Sequence, residues 1–375
     1  MAERKSRKVF IGILVSVFLL VGIGVNYAIG VDGPKVRDLS LQEAVDLAVK
    51  NNPDIQIAAL GVQKAQIQYK GAKYTADQLD LENVSTYEVG QLKWVKPKAM
   101  EIALNLAQKS SGLTESTLRF KVETAYYNVL KAEKNLQIKR ENLKYFQDQL
   151  KIAQTGYKIG TRAKVDVSVI EAAVASMQAL ATSEDSNLRK AVMELNRLTG
   201  LDLETPLKLT TKFNAEKISG TVKLDDTVKQ VLADNVTILS VKQDLELKKV
   251  QQDVAKKFFG KGVTVYDTAE IDAKIAEATV RQQEIALTAV VRESYLSLFT
   301  LEQMIDWQTK EVEKARENAR IFTLKYQAGL ATSLDVKKGT IDLEQAESDL
   351  ADSIYSYNLL KSQFKYDLFT TGSGS

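Results

Sequence analysis

Tyr157-Lys158-Ile159-Gly160-Thr161-Arg162-Ala163-Lys164-Val165-Asp166-Val167 is answered 169 residues later by Tyr326-Gln327-Ala328-Gly329-Leu330-Ala331-Thr332-Ser333-Leu334-Asp335-Val336. Each stretch carries Tyr-x-x-Gly followed by an Asp-Val step, and each lies between long runs with apolar residues at helical spacing. A glycine there supplies the left-handed stop of one helix, and Thr332-x-x-Asp335 spells a capping box for the next. Each stretch reads as the tip of a helical hairpin, and the chain as one hairpin design used twice.

The repeat extends outward from the tips. At the same offset Val122, Tyr126, Val129 and Glu133 fall on Val291, Tyr295, Leu298 and Glu302. The starts of the two halves also match, with Leu41, Val45, Asn52 and Ile55 falling on Leu224, Val228, Asn235 and Ile238, 183 residues later. The first copy therefore holds 14 more residues in its middle, the difference between the two offsets.

Proline and glycine placement sets the helix lengths. The four prolines stand at 34, 53, 97 and 206, and no glycine lies between Val263 and Ala328. Such runs permit helices of roughly 70 to 100 Å at about 1.5 Å per residue. Heptad positions before the first tip read Val129, Ala132, Leu136, Lys139, Leu143, Phe146, Leu150, Ala153 and Tyr157. The second copy reads Leu298, Leu301, Ile305, Gln308, Val312, Ala315, Ala319, Phe322 and Tyr326. A strict seven-residue repeat predicts left-handed coiled-coil packing. Both copies place one polar residue at the same seam position, Lys139 and Gln308, which fits register control or a role facing a lumen or partner. After the tips, returning helices carry Val167, Ile170, Met177, Leu188, Leu195 and Leu198 in one copy and Val336, Leu343, Leu350, Tyr357 and Phe364 in the other. Leu198-Thr199-Gly200 closes the first hairpin, and Leu201 to Leu224, with Pro206 and Gly220, reads as a connector.

Composition narrows the function. The chain has 375 residues, 45% hydrophobic and 26% charged, with a net charge of +3 that gives no polyanion signal and predicts no nucleic-acid partner. It contains neither Cys nor His. That removes disulfides, thiolate metal sites and the commonest general base, so no catalytic, metal or cofactor site is expected and the chain reads as a non-enzyme. Arg4, Lys5, Arg7 and Lys8 precede the uncharged run Val9 to Val25, followed by Ala28-x-Gly30. This is the layout of a signal peptide, with an uncleaved N-terminal membrane anchor as the competing reading. Either way the remainder is exported.

Leu39-Ser40-Leu41-Gln42-Glu43-Ala44-Val45 with Asn51-Asn52-Pro53, the Ala125-Tyr126 step, the paired tips and the Leu-Thr-Gly close together resemble TolC-type outer-membrane efflux proteins. The resemblance covers nearly all of the exported chain. It implies an outer-membrane location and a homotrimeric helical tunnel, joined at its hairpin tips to a periplasmic adaptor protein and an inner-membrane pump, through which drugs, metals or polypeptides leave the cell. By the same resemblance Gly160, Thr161, Arg162, Gly329, Leu330, Ala331, Thr332 and Ser333 would face the adaptor. Asp166 and Asp335 would lie near the tunnel constriction, and each also stands where a helix cap belongs. Arg162 is matched by Ala331, so a salt-bridge gate would differ between the repeats.

One feature of the family is missing. TolC-type proteins place two outer-membrane strands in the middle of each half, and a spanning pair with its turn needs roughly 25 residues. Helical periodicity in the second copy leaves only Phe258 to Asp267, which reads as a turn with a short β-like run. The first copy offers Lys73 to Pro97, but Asp77, Asp80, Glu82 and Glu88 crowd it. The aromatic residues Trp94, Phe258 and Phe259 fit either contact with a membrane or partner or packing within this end. The expected fold is all-α, two tandem repeats of long antiparallel coiled-coil helical hairpins, TolC-like, with little or no β-barrel. The expected division is 1–30 signal peptide or anchor, 31–205 first hairpin repeat, 206–223 connector, 224–369 second hairpin repeat and 370–375 flexible tail. Two functions remain open: an efflux or secretion duct component, and a non-conducting structural or interaction coiled-coil protein of the envelope.

Overall fold

The computed structural model describes residues 36–212, 217–218, 220, 223–328 and 330–370, so the N-terminal address, Gly329 and most of the tail lie outside the described residues. The compact unit begins at Val36.

The chain is a pair of helical hairpins bound at mid-height by a small girdle. In the first half come β1 (Arg37–Leu39), α1 (Leu41–Asn51), α2 (Pro53–Asp77), the short α3 (Tyr87–Gly90), α4 (Lys96–Lys158) and α5 (Lys164–Thr199). The second half has β2 (Leu207–Leu209), α6 (Leu224–Asp234), α7 (Val236–Phe258), α8 (Thr264–Gln327) and α9 (Ser333–Lys365). At 63 and 64 residues, α4 and α8 are each about 95 Å long. Gly112 does not interrupt α4.

The matched starts are built alike. Asn52 and Asn235 each end one helix and cap the next: Asn52 Oδ1 accepts from the Asp54 amide at 2.9 Å, and Asn235 Oδ1 from the Thr237 amide at 2.9 Å. Pro53 then occupies the first helical position, where its missing N–H costs nothing.

Heptad seams close the hairpins. Val129, Leu136 and Ala153 are buried on α4, and Leu298, Ile305, Val312 and Ala315 on α8. Full burial of a side chain such as Leu298 contributes about 2 kcal/mol. The seams open toward the tips, where Tyr157 and Tyr326 are 48% and 47% exposed. The matched polar positions differ: Gln308 is buried in its seam with no hydrogen bond to Oε1 among the described residues, whereas Lys139 lines a polar cleft of about 260 Å³ with Glu184 and Glu344.

The girdle is assembled across the sequence. β1 and β2 pair in parallel, with Asp38 opposite Lys208. Tyr126, wholly buried on α4, donates its hydroxyl to the Leu39 carbonyl at 3.0 Å and accepts from the Thr211 amide at 2.9 Å. In the second half Tyr357 donates to Glu302 Oε1 at 2.8 Å and accepts from the Ile218 amide at 2.7 Å.

The end opposite the tips holds only helices and turns. Residues 78–95 form a 3-10 turn, α3 and a π-helical turn that runs into α4, while Phe259 to Val263 join α7 to α8. Among the described residues the only strands are β1 and β2, three residues each. The β-like run expected after Phe258 is absent, because Thr264 and Val265 already belong to α8. The aromatic residues pack inward, with Tyr87 edge-on to Phe258 and Phe259 and the Lys257 ammonium 3.7 Å above the Trp94 ring.

Candidate functional site

Each hairpin tip is a five-residue link held by its own backbone. At the first, Gly160 adopts φ +78°, a conformation that a side chain resists, and this lets the Thr161 and Arg162 amides fold back on the Gly156 carbonyl at 2.8 and 3.3 Å. The returning helix starts at Ala163, whose amide donates to Asp166 Oδ2 at 3.3 Å. At the second tip the Leu330 amide reaches the Lys325 carbonyl at 2.8 Å. Thr332 and Asp335 then form the full capping box: Thr332 N donates to Asp335 Oδ2 at 2.8 Å, and Asp335 N to Thr332 Oγ1 at 3.2 Å. These bonds from Thr332 hold the Asp335 carboxyl below its ordinary range.

Both aspartates thus act as helix caps. Thr161, Arg162, Leu330 and Thr332 are exposed around them, and Ala331 is half-buried. Gly329 and the Ser333 side chain lie outside the described residues. The exposed set presents hydroxyls and one guanidinium at the tips.

The second element of the site is lateral. Near the tips the helices lie side by side in the order α5, α4, α9, α8; toward the other end the order is α2, α4, α7, α8. The α4–α9 seam is polar, unlike the hairpin seams. Lys131 pairs with Asp352 at 2.8 Å, Lys134 with Glu347 at 3.2 Å, and Asn142 donates to Glu344 at 3.0 Å. Lys337 lies 4.2 Å over the Tyr145 ring, and burial lowers its pKa while raising that of Glu344. Near the girdle, buried Glu123 on α4 accepts from Ser362, Lys365 and Tyr366 at the end of α9. The heptad pattern gave no signal for this cluster, because its partners lie some 240 residues apart.

Among the described residues, two edges of this layer have no helix beside them. One is α2 with α5, where Ile57, Leu60, Ile67, Tyr74, Val165 and Val169 are exposed; the other is α8, with Ile285, Leu296 and Trp307 exposed. An 18-residue window of α5 has a mean hydropathy of 1.3, yet only 6% of it is buried.

The model of the family described as outer membrane efflux protein matches residues 93–201 and 257–360, the two long hairpins. The chain belongs to that family. Solved channels share the fold of this efflux-family chain at low identity. The Campylobacter jejuni CmeC outer membrane channel superposes with a TM-score of 0.72 at 14% identity, over 89% of this chain and 87% of that one. The outer membrane protein VceC of Vibrio cholerae gives 0.66 at 15%, over 88% and 97%. CusC, whose structures describe transmembrane channel formation, gives 0.70 at 16%, over 88% and 92%. The efflux-family chain has the long hairpins that the family model covers, and helical turns close the end away from the tips.

Proposed function

We propose that the protein is the duct subunit of an efflux or secretion system in the cell envelope. Copies associate into a closed helical ring, a trimer by analogy with the resembled family, whose hairpin tips dock a periplasmic adaptor protein and through it an inner-membrane pump. In this reading Gly160, Thr161, Arg162 and residues 329–333 form the docking surface, and Asp166 and Asp335 ring the narrow end while capping their helices. The observation that carries the proposal is the pair of unlike edges that no helix covers among the described residues. A layer whose two edges differ satisfies both only by joining head to tail, which closes a ring when the rotation allows it. Burial in a bilayer is a poor alternative for α5, because α4 beside it carries Lys131, Lys134, Lys139, Arg140, Lys144 and Lys151.

Light scattering on the full chain in mild detergent tests this. A species of one fixed stoichiometry is expected, and a strict monomer at micromolar concentration would sink the ring. The short helical turns at the far end favour one second reading, a non-conducting coiled-coil rod of the envelope. Charge reversal at Asp166 and Asp335 separates the two: a duct loses or alters export while keeping its helicity.

A further inference from the structure

We infer that the polar cleft between α4, α5 and α9 binds a short zwitterion of dipeptide size, its ammonium held by Glu184 and Glu344 and its carboxylate by Lys139. The cleft, about 260 Å³ in volume, is walled by three helices of one copy. The site therefore does not depend on the ring reading above.

Charges of both signs share this cleft without meeting. Lys139 is half-buried at a seam position, yet among the described residues its ammonium makes no ion pair or hydrogen bond. Glu184 accepts from Asn187 at 3.2 Å and Glu344 from Asn142 at 3.0 Å, and neither carboxylate has a cationic partner among the described residues. On the same helices α4 and α9, Lys131 and Lys134 do pair, with Asp352 and Glu347. Burial pushes the Glu344 carboxyl above its ordinary range, and the pull of Lys139 does not offset it. Partly desolvated charges held apart in this way carry a cost that a bridging partner relieves.

Register control does not account for the set. Gln308 stands at the repeat position of Lys139, Ser353 at that of Glu184 and Ala175 at that of Glu344. An uncharged residue thus serves the seam in the second copy, and where the ammonium is missing both carboxylates are missing with it. The three charges come together or not at all.

Their signs select the ligand. A lone cation would face Lys139, and a lone anion would face two carboxylates. A molecule with an ammonium at one end and a carboxylate at the other answers all three through charge-assisted hydrogen bonds. Asn135 and Ser348, on the same walls, offer an amide and a hydroxyl to a peptide group between those ends.

Calorimetric titration of the full-length protein in mild detergent with alanylalanine, its N-acetyl form and its C-terminal amide tests the site. The free dipeptide is expected to bind about tenfold more tightly than either blocked form. Equal binding of all three, or no binding of the free dipeptide, overturns the proposal. Variants then assign the two ends. Lys139→Gln introduces the side chain that the repeat already carries at Gln308, so the helices should keep their circular dichroism. It should bring the free dipeptide down to the affinity of the C-terminal amide while preserving the advantage over the N-acetyl form. Glu184→Gln combined with Glu344→Gln, both close in shape to the native residues, should do the reverse. Loss of both preferences in either variant, or of neither, refutes the assignment.

Discussion

The carboxylate of Glu123, buried on α4, accepts a hydrogen bond at 3.0 Å from the Lys365 ammonium at the end of α9. At the repeat-equivalent position 169 residues on stands Arg292, which instead pairs with Asp225 of α6 at 2.8 Å. The two halves of the chain are joined by a contact that the repeat does not copy.

Replacing that carboxylate should loosen the join. Glu123→Ala strands the Tyr366 and Ser362 hydroxyls and removes the partner of Lys365, for an expected loss of about 2 kcal/mol. Urea unfolding monitored by circular dichroism measures it. Arg292→Ala, at an exposed pair, should cost under about 1 kcal/mol.

Tyr127 provides an alkaline marker for the same region. Burial, with Glu123 nearby, pushes its phenol up to about 12. The folded state favours the neutral form, so this contribution is complete below about pH 10 and disappears as pH rises toward 12. Tyr127→Phe should flatten the alkaline limb of the stability profile.

At the second tip, low pH should have the opposite effect. The cap bonds from Thr332 depress the Asp335 pKa, so their stabilisation is present above about pH 4 and fades as pH falls through the lowered value. Amide exchange at the start of α9 should accelerate in acid, and Thr332→Ala should produce that faster exchange already at neutral pH.

Close approach of α8 and α9 depends on Gly339. A Cβ there would lie 2.7 Å from Phe322 Cδ2 and 3.2 Å from the Ala319 Cα; the ring can yield but the backbone cannot. Gly339→Val should cost about 2 kcal/mol and lower the melting temperature, with Gly339→Ala in between.

Salt should weaken the polar α4–α9 seam. The Lys131–Asp352 and Lys134–Glu347 pairs are partly exposed and will be screened at 1 M salt, where the Debye length is about 3 Å. Amide exchange along α9 should rise with salt.

The sequence by itself determined the helices and the way each hairpin closes. Leu136, Leu298, Ile305 and Val312 sit at heptad positions and are buried where that period places them, because a seven-residue repeat leaves a helix one apolar face. Gly160 and the Thr332–Asp335 box were legible for a similar reason: turns and caps are local chemistry, decided within a few residues. The lack of a strand pair at the end away from the tips was equally readable, since the second copy is too short for one and acidic residues crowd the first. Only the tertiary structure decided what lies beside what across long separations. The parallel pairing of Leu39 with Leu209, the Tyr126 clamp and the reception of Lys365 by Glu123 join residues between 85 and 242 positions apart, or more in total span than any helix period reports. Such contacts follow from the docking of one finished hairpin on another, and that docking left α5 and α8 as the two open edges.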